Sequence, residues 1–289
     1  MLSRLIFWPW FAGLVTLVSG LFAARKSFAT AKGLEKVIVL GPVFFAAPLA
    51  VFGAEHLTNS RAISQGVPSW MPAHMFWAYF VGSALLSAGA GVALRMIHTR
   101  IVAMLLGVMF ICFVLTIHIP NAIANPHDRI IWAVVLRDIS SAGGAFALAA
   151  TSLKPLRSVA RVLVAVPLLF FAVEHFLHPE FAPGVPLAKV TPDWVPIRAF
   201  WGYLTGAALL ISGATMLFGS RHARLAATLL GSLITLLVLF LYLPIFLMAA
   251  QPALLEGINY VADTLLFAGM VLLAAAIMPG GVPLTAVTR

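Results

Sequence analysis

The chain repeats one pattern of residues, and that repetition limits what it can fold into. One stretch runs Pro48, Phe52, Glu55-His56, then Trp70, Pro72, Phe76-Trp77, Tyr79, Gly82 and Gly89. A later one runs Pro167, Phe171, Glu174-His175, then Trp194, Pro196, Phe200-Trp201, Tyr203, Gly206 and Gly213. The offset is 119 residues through the Glu-His pairs and 124 from the tryptophan onward, so one loop of the second copy is five residues longer. A long internal repeat implies a duplicated structural unit.

Composition says where that unit lives. Hydrophobic residues are 62% of the chain and charged residues only 9%, with a mean hydropathy of +1.04. Soluble domains carry roughly 25% charged residues, so this chain is built for lipid. Apolar runs long enough to cross a bilayer recur near 5–24, 37–57, 73–94, 101–121, 129–151, 159–177, 198–218, 224–247 and 255–278. Nothing between them alternates as strands do.

The predicted fold is therefore an all-α integral membrane protein. Residues 1–36 form one N-terminal transmembrane helix with a basic connector, and residues 37–153 and 154–289 form two four-helix repeats. An even number of spans per repeat makes them parallel rather than inverted, which predicts two parallel four-helix bundles. The first span is read as a retained helix, because its basic residues Arg25, Lys26, Lys32 and Lys36 follow the apolar run, whereas a secretory signal has the reverse polarity.

The net charge of +9 does not point to nucleic acid. With the connector after the first helix placed in the cytoplasm, Arg25, Lys26, Lys32, Lys36, Arg95, Arg100, Lys154, Arg157, Arg161, Arg221, Arg224 and Arg289 fall on that side. Arg4, Arg61, Arg129, Arg137, Lys189 and Arg198 fall outside it or within spans. That bias places the N-terminus outside and the C-terminus inside. The expected surroundings are the lipid bilayer, in a bacterial-type inner membrane, and other subunits of a membrane complex. The single cysteine, Cys112, excludes an internal disulfide and reads as a small packing residue.

Several repeated positions have plain structural readings. Pro120 and Pro244 would end the third helix of each repeat. Gly82 and Gly89, like Gly206 and Gly213, form small surfaces that let helices approach closely. Trp77, Tyr79, Trp201 and Tyr203 fit an interfacial aromatic belt, with a ligand-binding wall as the alternative.

The ionisable residues carry the functional argument. Glu55-His56 and Glu174-His175 sit near the outer ends of their spans, while Asp138 and Asp263 recur at offset 125, each six residues before a glycine. Asp138 lies ~13 Å into its span at 1.5 Å per residue. An acid in lipid is costly and marks either a site or a paired cluster. The candidates for catalysis or proton handling are thus Glu55, His56, Asp138, Glu174, His175 and Asp263. Two structural readings compete: protonated acids bonded across helices, or Glu55 paired with Arg137. The copies also differ: Asn59, His118 and Arg137 in the first stand where His178, Tyr242 and Ala262 stand in the second. His175, His178 and Glu174 form a weak metal-ligand set without a standard motif. A haem between facing histidines such as His56, His118 and His175 has weaker support still.

An acidic-His helix end, a loop closing on Trp-x-Pro, an aromatic helix with Tyr-x-x-Gly, and then His118-Ile119-Pro120, Arg137-Asp138 and Gly143-Gly144 together resemble the DoxX-like family of four-helix membrane proteins. The resemblance spans about 37–151 and 159–278. It implies four-helix bundles and a membrane redox setting, since some members are similar to the membrane subunit of thiosulfate:quinone oxidoreductase. On that basis the expected function is a quinone-associated or accessory subunit of a membrane redox complex. Trp77, Tyr79, His118, Trp201 and Tyr203 would then line the quinone site. A proton, metal-ion or small-solute carrier and a structural subunit without ligand are the alternatives. This chain departs from the family by fusing two copies and adding a helix.

Overall fold

A computed structural model describes residues 4–96, 98–150, 154–184, 189–250 and 253–279. Among the described residues the chain is helical, with nine helices long and apolar enough to cross a membrane and no strand beyond one isolated bridge between Phe181 and Val190. The helices are α1 (Arg4–Thr30), α2 (Glu35–Thr58), α3 (His74–Ala93), α4 (Thr99–Ala124), α5 (Arg129–Ala149), α6 (Lys154–Leu177), α7 (Arg198–Leu217), α8 (Ala223–Met248) and α9 (Leu254–Ile277). The chain is an integral membrane protein. Arg289 of the topology argument lies outside the described residues.

The repeat is visible in backbone detail as well as in sequence. The turns before α3 and α7 place Ala73 and Ile197 in the left-handed region, at φ 55° and 48°. This is a costly conformation for a β-branched residue. The turn is held from above: Trp77 Nε1 donates to the Pro72 carbonyl at 3.0 Å, and Trp201 Nε1 to the Pro196 carbonyl at 3.1 Å. The repeated Pro and Trp positions therefore build the start of a helix. Asp128 caps α5 by accepting from the backbone N–H groups of Ile130 and Ile131.

Pro120 and Pro244 do not end the third helices as expected. Each lies within α4 or α8, just after a π-helical turn at Val114–His118 or Val238–Tyr242. Proline has no N–H to give the preceding turn, and a widened turn lets the helix continue to Ala124 or Met248.

Helix packing departs from two self-contained bundles. Within each repeat the first helix packs on the second (α2 on α3, α6 on α7) and the third on the fourth (α4 on α5, α8 on α9). Yet α2 packs extensively along α9, and α5 along α6, so each repeat's first helix lies against the last helix of the other. The last helices, α5 and α9, also meet at the centre. These pairings are preserved when the repeats are exchanged, as a two-fold relation requires.

Small residues explain the close approach. A Cβ on Gly269 would fall 2.4 Å from the Phe45 backbone nitrogen, and one on Gly144 2.5 Å from Met270 Cβ. Without a hydrophobic drive between helices in lipid, such close packing is what holds them together. The extra helix α1 covers α2 through Gly13 and Gly20, which sit on Val51 and Val43. Among the described residues no helix covers the equivalent face of α6, and Val159, Val162 and Val166 are exposed there. Cys112 is likewise exposed on α4, facing outward rather than packing inside as its size suggested.

Candidate functional site

The buried ionisable groups gather where α4, α5 and α9 meet. His118 Nε2 lies 2.9 Å from Asp138 Oδ2. Arg137 Nη1 donates to Asp263 Oδ2 at 2.7 Å, while its Nε stands 3.9 Å from Asp138 Oδ1. The result is a continuous run, His118–Asp138–Arg137–Asp263, that crosses between the repeats. Asp138 and Asp263 are each nine residues from the start of their helix. That places both ~13 Å deep at 1.5 Å per residue. Charges in such surroundings persist only when paired.

Arg137 was the natural partner for Glu55 by sequence, and the structure gives it to Asp263 instead. Glu55 receives a hydrogen bond from Asn259 Nδ2 of α9 at 3.4 Å, one helical turn before Asp263. The exchange of helices is the cause, because it brings α9 rather than α5 against α2.

Glu174 is held differently. Arg129, from the other repeat, donates to its Oε2 at 3.0 Å, and the Arg129 guanidinium also stacks 4.5 Å from the Phe181 ring. A third tie between repeats lies at the opposite end, where Arg224 Nη2 meets both carboxylate oxygens of Glu35 at 2.6 Å. Sequence reasoning missed Arg129 and Asn259; the only available signal was their position opposite the Glu-His helices.

The two histidines of the repeat share one tautomer. Nδ1 of His56 faces the Phe52 carbonyl at 2.7 Å, and Nδ1 of His175 faces the Phe171 carbonyl at 2.7 Å. A carbonyl only accepts, so Nδ1 carries the proton in both rings. At His175 the Nε2 lone pair accepts the Gly184 N–H at 3.0 Å, which fixes a neutral ring.

Gly184 belongs to the longer loop of the second repeat, and its Ala182–Gly184 segment is folded into the helix ends. Tyr242 donates its hydroxyl to the carbonyls of Pro183 at 2.8 Å and Ala182 at 3.2 Å. Gly184 lies against Thr264 and the Tyr242 ring at φ +123°, a conformation suited to glycine. His175, Tyr242 and Thr264 are 3%, 1% and 1% exposed as a result. The first-repeat counterparts His56, His118 and Ile139 are only half-buried.

The remaining candidates are more scattered. Tyr79 accepts a hydrogen bond from Ser60, and Tyr203 stacks on Phe176. His178 faces Glu180 at 3.5 Å, and its ring packs on Phe181 at 5.8 Å. Among the described residues no three His, Cys, Asp or Glu side chains are grouped to hold a metal ion. A small, entirely apolar groove of about 60 Å³, open on one side, runs between α1, α2, α8 and α9. Trp10, Pro48, Val51, Phe246, Ile258 and Val261 are among its walls. Val51 is one helical turn from Glu55 and shares its helix face.

Compared with known proteins, the chain matches no family model, no curated protein and no solved structure. The functional reading therefore rests on the geometry above.

Proposed function

We propose that this protein is a DoxX-like, quinone-associated or accessory subunit of a membrane redox complex in a bacterial inner membrane, with its N-terminus outside. The observation that carries the reading is the run His118–Asp138–Arg137–Asp263, with Glu55 tied through Asn259 to the helix that carries Asp263. Groups that can exchange protons, held inside an apolar layer, are what a lipophilic hydrogen carrier needs beside it. The small apolar groove one turn from Glu55 would receive the first carbons of an isoprenoid tail, with the rest of the tail in the lipid. Glu55, His56 and His118 would contact the head group, while Asp138, Arg137 and Asp263 set the local charge.

Organic extraction of the protein, purified in native lipid disks, tests this reading. Quinone enriched stoichiometrically above the lipid background is expected; quinone at background contradicts it. Reporter fusions at the C-terminus and in the 178–197 loop should report opposite compartments, and matching compartments contradict the topology.

A structural role is the second reading, favoured by the pairing of Glu174 with Arg129 and of Asp263 with Arg137 across the repeats. Under it, Glu174→Gln and Glu174→Ala would lose stability without any change in bound quinone.

A further inference from the structure

We infer that the outer half of the first repeat binds the hydroxyl group of a lipophilic phenol, of the hydroquinone class, on His56 Nε2. The position matches the one that the second repeat fills with its own loop. The inference rests on the quinone reading above and narrows it to the reduced, O–H-bearing form.

The second repeat shows the binding mode from within the chain. A single tripeptide, Ala182–Pro183–Gly184, meets both repeat-specific polar groups: its Gly184 N–H donates to His175 Nε2, and its carbonyls accept from Tyr242. Because one segment reaches both side chains, His175 and Tyr242 flank a common volume. Their first-repeat counterparts, His56 and His118, stand at offsets 119 and 124 on the matching helices. By the repeat relation they flank the equivalent volume.

Among the described residues, no loop backbone of the first repeat makes the equivalent contacts: His56 meets the Phe52 carbonyl of its own helix and His118 meets Asp138. The 57–69 segment is five residues shorter than its counterpart 176–193. It turns instead through a short helix at Ser60–Ile63 and a 3₁₀ turn at Ser64–Gly66. Among the described residues no donor of this chain meets His56 Nε2. The surrounding residues report the same difference: Phe52, Glu55, His56, His118 and Ile139 are half-buried. Phe171, Glu174, His175, Tyr242 and Thr264 are all under 8% exposed.

The tautomer then selects the ligand. With its proton on Nδ1 and directed at Phe52, the neutral His56 ring offers only a lone pair at Nε2. A quinone carbonyl is also an acceptor and gains nothing there. A hydroquinone O–H donates, as the Gly184 N–H does to His175. Of one redox couple, the site discriminates by hydrogen-bond direction alone.

Anaerobic titration of the full chain in lipid disks with decylubiquinol and with decylubiquinone tests this. The expected result is about ten-fold tighter binding of the quinol, the size of one hydrogen bond made against one left unmade. His56→Leu should bring the two forms to equal affinity. Equal affinities in the wild-type protein, or a preference for the quinol unchanged in His56→Leu, overturn this inference and leave the quinone reading standing. Failure of both forms to bind overturns both. The wild-type comparison needs no variant, so a misfolded His56→Leu does not remove the test.

Discussion

The two repeats use the same helix order, the same glycines and the same Glu-His pair, yet they treat the outer half of the molecule in different ways. In the second repeat, where eighteen residues separate His175 from Trp194, Ala182–Gly184 reach down to His175 and Tyr242, and both are buried. In the first, thirteen residues between His56 and Trp70 turn over the helix ends and leave His56 and His118 half-buried. The other polar substitutions follow the same division. Tyr242 serves the loop, whereas His118, at the matching place, turns to Asp138. Duplication supplies the scaffold twice, and the copy with the loop five residues longer is the one whose loop meets its own His and Tyr.

Variants can strain this comparison at graded strength. The largest effect is expected at the centre, which both repeats share. Arg137→Ala leaves Asp263 buried without its cation and should cost about 3–5 kcal/mol, measured by denaturant titration in detergent. A stability unchanged within error would mean that Asp263 carries no charge. Next comes Arg129→Ala, which removes the partner of Glu174 and the cation on Phe181. Arg129 is partly exposed, so a smaller loss of about 2 kcal/mol is expected. It should come with faster amide exchange at Gly184 and no change around His56.

Tyr242→Phe removes one hydroxyl that serves two carbonyls, for about 1 kcal/mol. Faster exchange at Gly184 is again the marker; unaltered exchange would show that the loop is held by something else. The smallest contrast lies between Gly82→Ala and Gly206→Ala. Both push a methyl into the preceding helix, at about 1–3 kcal/mol for overpacking. The Gly82 variant should be the worse by a few tenths, because its Cβ meets the Gly53 carbonyl at 3.0 Å and Leu57 Cδ2 at 2.9 Å. Its counterpart meets the Ala172 carbonyl at 3.4 Å. Equal losses would argue that the helix pairs relax to the same spacing.

Much of the scaffold was legible in the sequence. Nine apolar runs and the offsets of 119 and 124 specify the helices and their duplication, because apolar length and small-residue spacing are local properties. The exchange of first and last helices was not, since nothing in the sequence of α2 distinguishes α5 from α9 as a neighbour. That error misassigned Arg137, whose partner Asp263 lies 126 residues away. The prolines misled for a different reason. Pro120 and Pro244 read as helix ends, but a π turn absorbs the missing N–H and the helix continues. Of the site, the Glu, His and Asp positions were visible as ionisable residues within apolar runs. Their partners Arg129, Asn259 and Gly184 were not, because each is an ordinary residue whose role comes from the helix or loop it is brought against.

One copy closes over its histidine, while the other leaves its histidine half-buried. Site-resolved chemical modification of the histidines of the intact protein in lipid disks, followed by mass spectrometry, tests it directly. His56 and His175 occupy equivalent positions with the same tautomer and the same i−4 carbonyl partner, so the reagent meets the same ring twice in one molecule. Rapid modification at His56 with protection at His175, lost in Tyr242→Phe, is the expected result. Equal rates at the two rings, or faster modification at His175, would contradict it.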